Sequence, residues 1–367
     1  MKILQLTVLF FSLTTLAFGQ ANGKLQIHFM DVGQGDGAIL ISPLGETVLF
    51  DNGKRGNCDL PVSYLQQLGI TKIDYMIVSH YHDDHIGCTS DVLSEFPLQN
   101  KSYDRGGTYS SATFQNYKSK VGTKRTTATI GTVITLDAGS PNPVKIEIVA
   151  LNATTVNGAV VVTSNENDLS VVPVVRFGNF DAVIAGDLSG FKTDSYEDIE
   201  TSVGPKVRQV EVYKVNHHGS RYSSNEAWLE TIKPKIGVIS TGIGNKYGHP
   251  TQECLERLHA AGVKTYWTQV GEGVEPEPGY DTIGKNIVVE AAPGSSSFTV
   301  TYGFGQMDTY PMWGVIDSAA TPTFAWSKKS KVYHFAGCKY VHNISPANLE
   351  KGNGPPPAKT LHVGCPK

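Results

Sequence analysis

From Lys24 onward the apolar positions come in short runs, LQIHFM, GAILIS and TVLFD, broken by the polar turns Gly-Gln-Gly-Asp and Pro-Leu-Gly-Glu. Such runs, bounded by turn residues, predict strands. Residues 60–68 switch to helical spacing, which Gly69 ends. IDYMIVSH predicts a buried strand that runs straight into a polar, His-rich loop. Residues 100–130 are rich in Ser, Thr, Lys and Gly with weak periodicity, and read as an insertion or long loops beside that segment. The strand pattern resumes in VKIEIVAL, LSVVPVVRFG, FDAVIAGD, VEVYKVNHHG and IGVISTG, with helical spacing over 226–232 and 252–261. Strands interleaved with helices in both halves, without a fixed-period repeat, predict an α/β fold layered as an αββα sandwich.

The ends read differently. Lys2 followed by the apolar run 3–16 and by Ala17-Phe18-Gly19 has the form of a signal peptide over 1–19, cut before Gln20. The run is short for a membrane span, and no later segment is apolar enough for one. The mature chain is therefore expected to be secreted or periplasmic. The main domain is placed at 20–305, a Pro-, Gly- and Ser-containing linker at 306–325, and a small basic module at 326–367. Cys338 and Cys365 fit either a disulfide staple or, with His334, His342 and His362, a zinc site; export favours the disulfide. Cys58, Cys88 and Cys254 leave an odd thiol, and a Cys58–Cys88 bridge is one arrangement among several.

Composition narrows the classes. With 40% hydrophobic and 18% charged residues the chain can bury a sizeable core. A net charge of -3 argues against a strongly basic surface for holding nucleic acid, though not against an enzyme that visits it. Nothing in the sequence points to an obligate protein partner.

The chemistry concentrates in Ser79-His80-Tyr81-His82-Asp83-Asp84-His85, which gathers three imidazoles within six residues, His80 to His85. Imidazole nitrogen and carboxylate oxygen suit Zn²⁺, Mn²⁺ or Fe²⁺. His80-x-His82-x-Asp84-His85 resembles the signature of the metallo-β-lactamase superfamily, over roughly residues 24–303. MDVGQGDGAIL, LFDNG, NENDLS, AGDL, VNHHGS and YGHP resemble the branch that contains the extracellular domain of the competence protein ComEC.

That resemblance implies an αββα sandwich with two divalent metal ions, Zn²⁺ first and Mn²⁺ second, at one edge of the sheets. It makes His80 and His82 ligands of the first metal and Asp84 and His85 ligands of the second. Asp187 becomes the bridging carboxylate, His249 completes the second metal, and Asp51 orients the His loop. Asp31 and Asp36 are either supports of that loop or turn formers.

One position departs from the wider superfamily, which places a His about 20 residues before the bridging Asp. Here that region reads Asn165-Glu166-Asn167-Asp168, and no His lies between His85 and His217. Glu166, Asn167, Asp168 or a water stands in its place. Of His217 and His218, one is expected to protonate a leaving oxygen and the other to ligate metal or pack, and the sequence does not choose. The expected activity is phosphodiester hydrolysis, on extracellular DNA or another phosphodiester, by a hydroxide activated between two metals with Asp84, His217 and His218 as the catalytic set. The alternatives are hydrolysis of a small or surface-bound ester (a phosphorylcholine ester, lactone or lactam) and a non-catalytic, metal-stabilised binding protein. The missing His disfavours lactones and lactams.

Overall fold

The computed structural model describes residues 21–155, 157–313, 324–335, 344–352 and 359–361. The chain divides into two compact units, Met1–Trp313 and Gly314–Lys367. The proposed signal segment 1–19 lies outside the described residues, as do Cys338, His342, His362 and Cys365.

The first unit opens with β1 (Leu25–Phe29), β2 (Gly37–Ile41), β3 (Thr47–Asn52), β4 (Tyr75–Ile77), β5 (Ser102–Asp104) and β6 (Arg125–Thr127). These lie side by side in that order, antiparallel from β1 to β3 and parallel from β3 to β6. A second sheet follows: β7 (Val133–Leu136), β8 (Val144–Ala150), β9 (Val172–Phe177), β10 (Phe180–Ile184), β11 (Val212–Lys214), β12 (Ile236–Ile239), β13 (Lys264–Trp267) and β14 (Asp281–Ile283). It is antiparallel up to β10 and parallel from β10 to β14. The chain then returns to the far edge of the first sheet with β15 (Ile287–Ala291), β16 (Ser297–Tyr302) and β17 (Gln306–Pro311).

Helices cover the outer faces. Leu65 of α1 (Asp59–Gln67), Val92 of α3 (Thr89–Glu95), and Phe114 and Tyr117 of α4 (Ala112–Val121) pack on the first sheet against Ile39, Leu49 and Met76; α2 (Asp83–Ile86) is a single turn. Val203 of α5 (Glu200–Val207), Trp228 of α6 (Glu226–Ile232), and Leu255 and Leu258 of α7 (Gln252–Ala260) pack on the second against Val174, Val183 and Tyr213. Side-chain oxygens of Ser111, Asn225 and Thr251 accept from Phe114 N, Trp228 N and Cys254 N, capping α4, α6 and α7. The inner faces meet where Phe180 and Phe298 pack edge to face at 5.5 Å. The result is the expected four-layer αββα sandwich.

Two expectations fail. Residues 100–130 are not long loops: they form β5, α4 and β6 and extend the first sheet. Three-residue strands carry almost no periodicity, and the buried face of α4 is only Phe114, Tyr117 and Val121. The start of the expected linker is strand β17, paired with β16 along its whole length. The compact unit ends later, at Trp313, whose N–H donates to Glu211 Oε1 (2.7 Å).

The second unit contains β18 (Phe324–Ser327), β19 (Val332–Phe335), β20 (Leu349–Gly352) and β21 (Thr360–Leu361) in the order β20-β18-β19-β21. Its His334 is buried and partnered.

Candidate metal centre

Both sheets contribute parallel strands, and the chain leaving their carboxyl ends builds one site. Asp51 is the last residue but one of β3, the His loop follows β4, Asp187 follows β10, His217 and His218 follow β11, and Ser240 follows β12. Ligand sites in α/β sheets collect at these ends. Gly186, beside Asp187, has φ 57° and a Cβ there would meet Ser79 Cβ at 2.5 Å, so only glycine lets the two sheets' loops approach this closely.

Asp51 organises the His loop. Ser79 N–H donates to Asp51 Oδ1 (2.9 Å) and Ser79 Oγ to Oδ2 (2.6 Å). Asp51 Oδ2 also accepts from His85 Nδ1 at 2.8 Å, which turns Nε2 of that ring inward. His85 Nε2 lies 3.3 Å from Asp187 Oδ1 and 4.0 Å from Asp84 Oδ1. His80 Nε2 lies 3.9 Å from Asp187 Oδ2 and 3.0 Å from His82 Nδ1.

His218 donates through Nδ1 to the Ser240 carbonyl (2.9 Å), which turns its Nε2 to Asp84 Oδ2 (3.5 Å) and Asp187 Oδ1 (3.6 Å). His217 Nε2 reaches Asp187 Oδ2 at 3.7 Å and Asn167 Nδ2 at 3.3 Å. Both residues have positive φ, 49° and 53°, and it is this paired left-handed turn that sends adjacent rings to different places. Compact groups with ligand atoms within 4.8 Å of one another are His80–His85–Asp187, Asp84–His85–His218, Asp36–Asp187–His218 and Asp36–Asp51–His85. These groups contain His80, Asp84, His85, Asp187 and His218 but neither His82 nor His249. His82 sits against His80, and the His249 ring is 5.3 Å from that of His217 and 6.3 Å from that of His218.

The surrounding charges act on one another at close range. Burial works against the charge on His85, but Asp187 and Asp51 outweigh it and hold this imidazole well above its ordinary value. Burial likewise opposes charge on His218, yet Asp187 and Asp36 lift it to about 10. Burial would raise Asp187, but His85, His218 and His217 hold it well below the ordinary carboxylate range. His217 and His249 are pushed down by burial, to about 4 and about 3.

In the region lacking the third His, the three candidate side chains have different surroundings. Glu166 receives Arg105 through both carboxylate oxygens (2.7 and 2.6 Å) and accepts from Tyr81 N–H (2.9 Å), so it braces the His loop from behind. Asp168 accepts from Thr163 Oγ1 and Glu197 N–H. Asn167 alone of the three lines the cavity over the site, which has a volume of about 590 Å³.

Residues 32–243 match the family model for the metallo-β-lactamase superfamily, more than half of the chain. The chain belongs to this superfamily. It is 29% identical over 252 residues, 67% of its length, to recombination protein 2 of Haemophilus influenzae. To ComE operon protein 3 of Bacillus subtilis it is 22% identical over 260 residues, 66% of its length. The matched stretch spans 28% and 32% of those proteins, about a third of their length or less. Among solved structures, the metallo-β-lactamase fold protein YhfI from Bacillus subtilis aligns with a TM-score of 0.43 and 12% identity over 68% of this chain and 98% of YhfI. Superfamily membership together with the clustered His and Asp side chains makes this superfamily member a metal-dependent hydrolytic enzyme. No helix among the described residues is long and apolar enough to cross a membrane.

Several supports of the site carry little signal in the sequence. Lys214 is fully buried and forms an ion pair with Asp36, whose other oxygen lies 3.2 Å from His218 Nδ1. A lysine in the apolar run VEVYKV was its visible trace. Buried Glu200 accepts from Asn216 Nδ2 and from the N–H groups of Ser224 and Asn225, gripping the His217–His218 turn at both ends. Nothing local marks Glu200 in the sequence.

Proposed function

We propose that this enzyme is an exported phosphodiesterase of the ComEC-like branch, acting on DNA or another phosphodiester with two divalent cations, Zn²⁺ first and Mn²⁺ second. The observation that carries the reading is a knot of buried polar atoms at the strand ends: His85 Nε2 and His218 Nε2 face Asp187 Oδ1 at 3.3 and 3.6 Å, and none of the three has a hydrogen-bond partner outside that knot. Buried groups of this kind are normally satisfied, and three that converge within a few ångströms fit a cation. His80 and His82 with Asp187 would hold one ion, and Asp84, His85 and His218 with Asp187 the other. When bound, such cations supply Lewis-acid charge that offsets the negative charge developing on a phosphoryl group.

The chain's own residues supply the rest. Lys54 and Arg221 line the cavity and attract an anionic substrate. His217 Nε2 also faces Asp187, but His218 belongs to the compact ligand groups and His217 to none of them, so His217 is the member of the pair assigned to protonate the leaving oxygen. Its partner Asn167 suits that role, because an amide can donate to neutral His217 through Nδ2 or accept from its protonated form through Oδ1, which has no other partner. Asn167 in place of a third His supports a phosphodiester over a lactone or lactam. The Cys58–Cys88 disulfide supports export, since such bonds persist in oxidising compartments.

The test is one panel. The metal-stripped protein, reloaded with Zn²⁺ or Mn²⁺, is assayed on plasmid DNA, RNA, bis(p-nitrophenyl) phosphate, nitrocefin and a lactone. Turnover of the phosphodiesters is expected; turnover confined to nitrocefin or the lactone would overturn the reading.

A further inference from the structure

Tyrosines crowd the mouth of the cavity, and neither the metal cluster nor the proton donor uses them. Tyr196 and Tyr222 stack at 4.9 Å with their planes 27° apart. Tyr247 stacks over His249 at 5.9 Å and 18°. All four line the same cavity as His217, Asn167 and Asp187. Tyr222 is 36% exposed and Tyr247 58% exposed, so their ring faces add little to the core. Cations accompany them. Arg221 precedes Tyr222 and shares its charge with Glu253 at 3.4 Å, and Lys246 Nζ sits 5.4 Å from the Tyr247 ring centroid.

Flat, partly exposed aromatic rings interleaved with cations beside a phosphate-handling centre are the elements of a single-strand nucleic-acid platform. Bases stack on the rings while the cations follow the backbone. A duplex offers no free base faces, because neighbouring pairs cover them. A small ester without an aromatic group would leave the rings unused. We propose that Tyr222 and Tyr247 form a base-stacking subsite, so that the centre takes an unpaired strand of nucleic acid in preference to a duplex or a base-free phosphodiester. The inference rests on the phosphodiester reading for its hydrolytic consequence, but the subsite can be tested without turnover.

The metal-loaded protein is titrated calorimetrically with thymidine 5′-monophosphate and, separately, with deoxyribose 5-phosphate. The two carry the same phosphate, differ by one base, and contain no diester bond. The nucleotide is expected to bind at least about five-fold tighter, the lower end for one stacked base. Tyr222→Leu and Tyr247→Leu each shrink that ratio toward one, whereas Tyr222→Phe keeps it because the ring remains. Equal affinities in the wild type, no binding of either ligand, or leucine variants that keep the ratio would overturn the subsite. In hydrolysis, a ten-residue dT strand is cut faster than the same strand paired with dA, and equal rates would overturn the strand preference. A protein that shows the binding ratio but cleaves no phosphodiester refutes the phosphodiesterase reading and leaves the subsite standing.

Discussion

Asp187 divides its two oxygens between two groups of imidazoles. Oδ1 faces His85 and His218 at 3.3 and 3.6 Å, and Oδ2 faces His217 and His80 at 3.7 and 3.9 Å. A carboxylate so placed can join two cation sites, and its removal leaves both without a shared anion. Asp187→Ala is therefore expected to lose most bound metal while remaining folded; elemental analysis at near-wild-type content would remove the assignment. The neighbouring histidines separate by the same logic. His218→Ala should lose metal, because its Nε2 belongs to the Asp84–His85 group. His217→Ala should keep metal and slow hydrolysis by roughly 10²–10⁴-fold, the usual worth of a proton donor. That loss should shrink on p-nitrophenyl esters, whose leaving group needs little protonation. Equal losses on good and poor leaving groups, with metal retained, would assign His217 to substrate positioning instead. The sequence shows two adjacent histidines and no more, since their roles depend on two positive φ angles that no residue type in NHHG announces.

At the scale of elements, the turn α2, which carries Asp84 and His85, is four residues long and cannot hold its own shape. It is clamped from two sides. Asp36 N–H donates to the Asp84 carbonyl at 3.0 Å, and a Cβ on Gly35 would meet that same oxygen at 2.4 Å. On the other side Cys88, just past α2, is bonded to Cys58, and Cys88 N–H donates to Asn52 Oδ1. The bridge closes a sequence separation of 30 residues, a loop for which a disulfide typically contributes about 2–4 kcal/mol. A Cys58→Ser/Cys88→Ser double variant should unfold in denaturant with about that loss and hold metal less tightly; unchanged stability and metal content would show that the clamp on the DVGQGD side suffices. The motif residues of this clamp were visible in DVGQGD, but their target was not. A glycine's approach to a backbone oxygen nearly fifty residues away is a tertiary fact. The same holds for β5 and β6, whose strand character comes from parallel neighbours and not from any alternation of their own.

For the molecule as a whole, two consequences concern stability. His28 lies fully buried in β1, its Nδ1 2.9 Å from the Tyr64 hydroxyl, and burial lowers it from 6.5 to about 3. The folded protein thus resists a proton that the unfolded chain accepts. The stability that neutral His28 contributes is complete above pH 6.5 and is lost as pH falls toward 3, by up to about 1.4 kcal/mol per pH unit. His28→Gln should flatten the decline of unfolding free energy between pH 6.5 and 4; an unchanged slope would place the proton uptake elsewhere. The second consequence concerns the boundary after Trp313. Its indole Nε1–H donates to the carbonyls of Val210 and Lys233, tying the end of the first unit to the segments that lead into β11 and β12. A protein ending at Trp313 should retain its metal and a cooperative melt, whereas one ending at 305 lacks β17 and should melt lower. Loss of metal from a folded protein that ends at Trp313 would show that the tail builds the site.

The layered α/β plan, the His loop and the carboxylate at the end of FDAVIAGD are legible in the residues alone. Each is written in contiguous residues: strand runs bounded by turns, and ligand types packed into six positions, His80 to His85. Packing of the two sheets decided what those residues touch. It turned His218 to Asp84 and Asp187, and gave Glu166 to Arg105, leaving Asn167 at the cavity. It also set buried Lys214 against Asp36, Glu200 under the His217–His218 turn, and tyrosines 196, 222 and 247 around one mouth. The physical reason is that a ligand's role is set by which atom of its ring is hydrogen-bonded away from the centre, and those partners come from other strands, brought together only when the two sheets pack.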